Sequence, residues 1–130
     1  MKRRPGFTLL ELLIVIAIVG ILVAIGTASY ASAQRRSRDT RRQSDMKAIQ
    51  SAFEQFRSET GAYPSSCTID AAFLPGGIPV DPRGQNYSQV CNPSAYCFCA
   101  AMEIDASGNA SSNCGGSPVS EKFFCVRNLQ

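Results

Sequence analysis

The feature that most constrains this chain is an apolar run near its N-terminus with a single acidic residue at its head. No formally charged side chain occurs between Leu12 and Gln34. As a helix this run would be about 35 Å long, enough to cross a hydrocarbon core of roughly 30 Å. Glu11 stands at the start of the run, where an unanswered carboxylate would cost on the order of 2.5–3.5 kcal/mol. The sequence therefore predicts a membrane-spanning helix in which Glu11 needs a partner.

The residues around Glu11 follow a specific pattern. Segment 1–6, MKRRPG, is basic and ends in glycine, and segment 7–11, FTLLE, opens the apolar run. This pattern resembles the signal of type IV pilins and of the pilin-like subunits, or pseudopilins, of type II secretion and competence systems. The resemblance implies that a prepilin peptidase cuts between Gly6 and Phe7 on the cytoplasmic side, removes the leader and methylates the amine of Phe7. The resemblance is strong over residues 2–33. The helix that follows resembles the family only in its general character.

The same resemblance implies a role for Glu11, which matches the family's acidic residue four places after the cut. Cleavage after Gly6 would create a terminal amine on Phe7 that is largely protonated at neutral pH. That amine would supply the partner that Glu11 needs, either on the same chain or on a neighbouring subunit. We therefore expect Glu11 to bring subunits into register during filament assembly.

An ordinary secretory signal peptide is the alternative interpretation of the same region. A basic start, an apolar segment and the A-x-A motif Ala31-Ser32-Ala33 are typical of such peptides. Cleavage after Ala33 would release a secreted, cysteine-rich binding domain that begins at Gln34. The apolar run is much longer than the usual length of about 7–15 residues, which favours the pilin-type signal.

Segment 34–60 is predicted to continue the membrane helix outside the bilayer. It contains neither proline nor glycine, and one helical face is marked by the apolar residues Met46, Ile49, Phe53 and Phe56. Gly61 follows as a stop signal. Segments 7–33 and 34–60 would thus form one helix of about 80 Å, with the first part in the membrane or filament core and the second on a small domain.

Small residues recur every four positions within the predicted span, at Gly20, Ala24 and Ala28. Such rows let helix backbones approach closely in lipid. The row is therefore a candidate packing seam between subunits of a filament. The alternative is that it reflects the ordinary composition of membrane helices.

A cluster of arginines follows the span directly, at Arg35, Arg36, Arg38, Arg41 and Arg42. The simplest interpretation is a solvated or headgroup-facing anchor just outside the bilayer. A site for nucleic acid or for a neighbour's acidic face is the alternative, and it leads to a second function, that of a DNA-binding minor pilin of a competence system. Nucleic acid is not the favoured partner.

Residues 61–130 change in character to turns, short strands and cysteines. Segments 95–104 and 122–129 are predicted strands, with a shorter one at 86–90. The predicted fold class is therefore α+β and type IV pilin-like, with one long N-terminal helix packed by a small antiparallel sheet. Turn-rich sequence at 61–84 makes much of the remainder a loop region.

Six cysteines are available to stabilise this small region: Cys67, Cys91, Cys97, Cys99, Cys114 and Cys125. Their even number in a short segment predicts up to three disulfides and an oxidising compartment. Cys97 and Cys99 point to one face of a strand, so two different partners are expected for them. A pairing of Cys114 with Cys125 is a guess, and an all-thiolate zinc site is the rival interpretation of the set.

The loop at 105–109 carries alternating oxygen side chains, of which Asp105 and Asn109 are weak calcium candidates. A polar hairpin loop is the better interpretation, and no other cofactor is expected.

No catalytic constellation stands out: the chain has no histidine and no recognisable nucleophile motif, so we predict a protein that is not an enzyme. The resemblance implies a membrane-anchored precursor with a cytoplasmic N-terminus, held in lipid until it is cut. It further implies assembly, through a membrane platform, into a homo-oligomeric filament that is extracellular or periplasmic.

Overall fold

The computed structural model of this chain describes residues 6–116 and 118–129. Most of the predicted leader, residues 1–5, lies outside the described residues. The elements in chain order are helix α1 (Leu9–Thr60), strands β1 (Ser88–Asn92) and β2 (Ala95–Ala101), a short 3-10 helix (Asp105–Ser107), and strands β3 (Ala110–Ser112) and β4 (Pro118–Arg127). The chain divides into two compact units after Gln34, and each is described by itself.

The first unit is the apolar half of α1. Its large side chains are all exposed, and their exposed fractions range from 48% at Ile14 to 88% at Leu9. Among the described residues it is the one helical stretch that is long and apolar enough to cross a membrane, with a mean hydropathy of 3.0 over its most apolar window. None of the described large side chains of this unit is buried, so they need lipid or other protein around them to be removed from water.

The second unit has a core built on the predicted apolar stripe of α1. Met46, Ile49 and Phe53 are each 0% exposed. Phe56, at the end of the stripe, is partly buried and packs edge-to-face on Phe73 with ring centroids 5.3 Å apart. The stripe is thus confirmed as the face that covers the domain. Helix α1 ends as predicted, because the Gly61 amide donates to the Arg57 carbonyl at 2.7 Å and Gly61 takes a φ of 84°.

The four strands form one antiparallel sheet in the order β1-β2-β4-β3. Successive side chains of β2 point to opposite faces of the sheet, so they divide between two clusters. Tyr96, Phe98 and Ala100 pack into the main core with α1. Cys97 and Cys99 face the opposite side, where they form a smaller cluster with Phe123. The sheet therefore joins the α1 core on one face to a sulfur-rich core on the other.

The predicted strands exist, but their limits were wrong by several residues. β2 begins at Ala95 as predicted and ends at Ala101 rather than at position 104. The cause is Asp39 on α1, whose carboxylate accepts the amides of Glu103 at 3.0 Å and Ile104 at 2.9 Å. Those amides are therefore unavailable to the sheet, and the strand stops before them. β1 lies two residues later than predicted, and β4 begins four residues earlier.

The expectation of a hairpin loop at 105–109 was also wrong. This segment contains the 3-10 helix and leads from β2 to β3, which are separated in the sheet by β4. Gly108 lies close to β4 here, and a Cβ at that position would stand 2.9 Å from both the Lys122 Cβ and the Phe123 carbonyl oxygen. The connection passes tightly over β4 instead of turning back on β2, and β3 itself was not predicted.

Candidate functional site

The predicted cleavage site lies in the short segment before α1. Gly6, Phe7 and Thr8 precede the first helical residue and are exposed, with Phe7 80% accessible. A peptidase needs an accessible, non-helical bond, and the bond between Gly6 and Phe7 has both properties. Whether it is cut stays a prediction.

Glu11 has a local partner that the sequence argument overlooked. The Thr8 amide and hydroxyl both donate to Glu11 Oε2, at 3.0 and 2.9 Å, and the Glu11 amide donates back to Thr8 Oγ1 at 3.2 Å. This reciprocal arrangement is a capping box, in which the first residue before a helix and an acidic residue three places later satisfy each other's backbone donors. The T-x-x-E spacing at 8–11 was the available signal. Helix α1 accordingly begins at Leu9, directly after Thr8.

The predicted seam of small residues lies in the exposed half of α1. Gly20 and Ala24 are exposed, and a Cβ placed on Gly20 would have nothing within 4 Å. The side chain of Ala28 lies outside the described residues. The row thus offers open space along the helix, and its use as a subunit contact remains a prediction.

The arginine cluster is not uniformly a solvated anchor, and that expectation was wrong for Arg38 and Arg42. Arg42 is 3% exposed. Its guanidinium donates to Asp39 at 2.8 Å, to Asp81 at 3.0 Å and to Glu103 at 3.0 Å. Arg38 binds both carboxylate oxygens of Glu103 at 2.7 Å. These two arginines connect α1 to the loops that hold Asp81 and Glu103.

The electrostatics of this network follow from its geometry. Hydrogen bonds from Arg38 and Arg42 lower the pKa of Glu103 to about 2. Burial raises the pKa of Asp81, but the hydrogen bonds and charge of Arg42 outweigh it and the net pKa lies below its ordinary value. The Asp81 contact in turn raises the pKa of Arg42. All three groups are therefore charged at neutral pH, and they hold one another in place.

Carboxylates on α1 also anchor buried tyrosines. Glu54 Oε1 accepts the hydroxyls of Tyr63 and Tyr96 at 3.0 Å. Asp45 accepts the Tyr87 hydroxyl at 2.6 Å. Burial and these acceptors raise the pKa of Tyr96 and of Tyr87. Asp45 and Glu54 thus help to fix the sheet on the helix.

The six cysteines form three disulfides, Cys67–Cys91, Cys97–Cys114 and Cys99–Cys125. Cys97 and Cys99 have different partners, as expected. The guessed pair of Cys114 with Cys125 was wrong. Cys125 lies directly opposite Cys99 in the β2–β4 register, so these neighbouring strands bring those two sulfurs together.

The two calcium candidates, Asp105 and Asn109, lie in different local settings. The Asn109 carboxamide is bonded to β4, since it donates to the Cys125 carbonyl at 2.9 Å and accepts the Cys125 amide at 2.7 Å. Asp105 opens the exposed 3-10 helix. A calcium ion at this loop remains a prediction.

One family model and several known proteins match this chain, each over a different length. A family model described as the prokaryotic N-terminal methylation motif matches residues 1–27. The chain is 43% identical over 73 residues to the type IV major pilin protein PilA of Myxococcus xanthus, which covers 56% of this chain and 33% of that protein. It is 34% identical over 65 residues to the type II secretion system core protein G of Pseudomonas aeruginosa, covering 50% and 46%. It is 32% identical over 101 residues to the type IV wide pilus major component PilA4 of Thermus thermophilus, covering 77% and 75%.

The chain therefore spans about a third of the Myxococcus pilin, under half of the Pseudomonas protein and three quarters of the Thermus pilus component. No solved structure gives a significant match.

A methylation motif, an exposed apolar helix and a disulfide-bonded sheet domain on the same helix define a pilin-like protein. The chain belongs to the family of type IV pilins and pseudopilins. Its apolar helix and its motif fit a single-pass, membrane-anchored precursor.

Proposed function

We propose that this protein is a structural, non-catalytic subunit of a type IV pilus-type filament. Its precursor sits in the membrane with its N-terminus in the cytoplasm, and a prepilin peptidase cuts it after Gly6 and methylates Phe7. An assembly platform in the membrane then transfers the subunit into a filament of identical chains, outside the cell or in the periplasm. The relatives named above as pilus components and as a secretion core protein support this proposal.

The observation that carries the proposal is the exposed apolar half of α1. Residues such as Leu13 and Ile21, each 62% exposed, would be costly to leave in water. Lipid covers them in the precursor, and the same helices of neighbouring subunits cover them in the filament. The open surface at Gly20 and Ala24 allows helices to approach closely there.

Glu11 acts in the transfer between these two environments. Before the cut, its carboxylate is satisfied by Thr8, so the precursor is stable in lipid. After the cut, the Phe7 amine is a positively charged donor that competes for the same carboxylate. Thr8 offers only neutral donors to the carboxylate, whereas the amine also carries a full positive charge, whose attraction is strong in a low-dielectric medium. Glu11 therefore exchanges Thr8 for the amine of its own or a neighbouring chain.

The variant Glu11→Leu tests this role in a strain with a prepilin peptidase and an assembly platform. We expect the variant to enter the membrane fraction normally and to be absent from sheared surface filaments. Thr8→Val is the matched control, because it removes the capping hydroxyl and keeps the carboxylate, and it should still assemble. Filaments of Glu11→Leu at the wild-type level would contradict the pairing role.

A further inference from the structure

The five arginines after the apolar run fall into two sets with different surroundings. Arg38 and Arg42 are engaged by carboxylates, as described above. Arg35, Arg36 and Arg41 are exposed and have no ion-pair partner among the described residues. The three form a separate group, which we call the free arginines.

The free arginines form a local excess of positive charge on α1. In the network around the buried Arg42, the guanidiniums of Arg38, Arg42 and Arg83 face the carboxylates of Asp39, Asp81 and Glu103. This network is balanced, three charges against three. The next acidic group along α1, Asp45, accepts the Tyr87 hydroxyl and forms no ion pair with a free arginine among the described residues. The free arginines therefore present a net positive charge to whatever surrounds this part of the helix.

The position of the free arginines along α1 matches the headgroup layer of a bilayer. Arg35 and Arg36 come immediately after the uncharged run that ends at Gln34. Arg41 stands about 9 Å further along the helix than Arg35. Each polar layer of a bilayer is roughly 5–8 Å thick, and a flexible arginine side chain can reach back toward it. Tyr30, 66% exposed, provides the aromatic residue typical of that boundary.

The distribution of the free arginines around the helix decides what kind of partner fits them. At about 100° per residue, Arg36 and Arg41 lie roughly 100° and 240° around the helix axis from Arg35. The three cations thus point in three different directions. A nucleic acid or a neighbouring protein contacts one side of a helix, whereas lipid headgroups reach a spanning helix from every direction that the folded domain leaves open.

We propose that Arg35, Arg36 and Arg41 bind the phosphate groups of anionic phospholipids around the membrane-anchored precursor. The inference rests on the proposed membrane anchoring. It assigns this ring of cations to retention of the uncut or unassembled subunit at a negatively charged lipid surface. Arg38 and Arg42 belong to the folded domain and contribute little to lipid selection.

Lipid selectivity of the full chain in vesicles tests the proposal. The chain is reconstituted in phosphatidylcholine vesicles with spin-labelled phosphatidylglycerol or spin-labelled phosphatidylcholine, and the motionally restricted fraction of each label is compared. We expect a preference for phosphatidylglycerol of at least about fivefold, the effect of one basic residue at an anionic surface. The variant Arg35→Gln/Arg36→Gln/Arg41→Gln should reduce it to less than about twofold, and added salt should weaken the wild-type preference.

A matched variant removes three other exposed cations, Lys47→Gln/Lys122→Gln/Arg127→Gln. Lys47 lies about 18 Å beyond Arg35 along α1, well outside a Debye length of about 8 Å, so this variant should keep the wild-type lipid preference. Near-UV circular dichroism of both variants checks that the domain is folded.

Each other outcome counts against the proposal. Equal lipid preference in the two triple variants would overturn it. Loss of salt-sensitive DNA retention in the free-arginine variant, with lipid preference unchanged, would assign the arginines to nucleic acid instead. Failure of the wild-type chain to float with vesicles would refute the membrane anchoring itself, and flotation without lipid preference would refute the arginine assignment alone.

Discussion

At the residue scale, neighbouring arginines of the same type have opposite environments. Arg41 is exposed, whereas Arg42 is buried among Asp39, Asp81 and Glu103. The sequence predicted one solvated basic cluster, because Asp81 and Glu103 lie far from Arg42 along the chain and nothing in the local pattern marks them as its partners. The Thr8–Glu11 capping box, by contrast, is local and was predictable from its spacing alone.

The two arginines give a direct test of the network. Arg42→Met leaves Asp39 and Asp81 without their main counter-charge, so we expect the free energy of unfolding of the domain to fall by about 3–5 kcal/mol. Arg41→Met, one position away, should change it by less than about 0.5 kcal/mol. Urea unfolding in detergent, followed by near-UV circular dichroism, measures both. A loss of less than about 0.5 kcal/mol for Arg42→Met would show that Asp39 and Asp81 do not depend on Arg42 for charge compensation.

The low pKa of Glu103 predicts a pH dependence with a definite sign. Its pKa falls from 4.5 to about 2 on folding, so its ionised form stabilises the fold above about pH 4.5 and that contribution is lost as the pH falls toward 2. Glu103→Gln removes the contribution at every pH. The stability difference between wild type and variant should therefore be largest near pH 6 and shrink toward pH 2. A difference that is constant over this range, measured by urea unfolding, would contradict the assigned pKa.

At the element scale, the features of α1 that the sequence predicted correctly are those with a local signal. The stripe from Met46 to Phe56 and the stop at Gly61 are local signals, and α1 follows them. Strand limits depend on partners elsewhere, since Asp39 ends β2 by accepting the amides of Glu103 and Ile104. β3 has only three residues, of which two are serine, and it exists because β4 lies beside it. Such short, polar edge strands carry little signal of their own.

The disulfide Cys67–Cys91 joins the loop after α1 to β1, and its contribution can be measured. It closes a long loop, with a sequence separation of 24, so removing it should lower the free energy of unfolding by about 3 kcal/mol. The variant is Cys67→Ser/Cys91→Ser, compared with wild type by urea unfolding. With enough dithiothreitol to open every disulfide, wild type and variant should unfold at the same urea concentration. A difference that persists under reduction would mean that packing of the sulfurs, rather than the covalent link, is responsible.

At the scale of the whole molecule, the chain combines one unit that has its own core with one that does not. The domain after Gln34 is held by α1, the sheet, three disulfides and the buried ion pairs. The described large side chains of the apolar half of α1 are exposed, so this half needs lipid or other protein around it. Fold class and family were predictable from the sequence, because the processing signal and the helix pattern are both local. The buried ion pairs and the disulfide connectivity were not, because they are set by tertiary packing.

The central claim is that proteolysis after Gly6 exposes the amine that answers Glu11. Mass spectrometry of the N-terminal peptide of the protein, isolated from its assembled filaments, tests this claim most directly. We expect a peptide that begins at Phe7 and carries a methyl group on its amine. Filaments built from chains that still begin at Met1, or from chains that begin at Gln34, would contradict it.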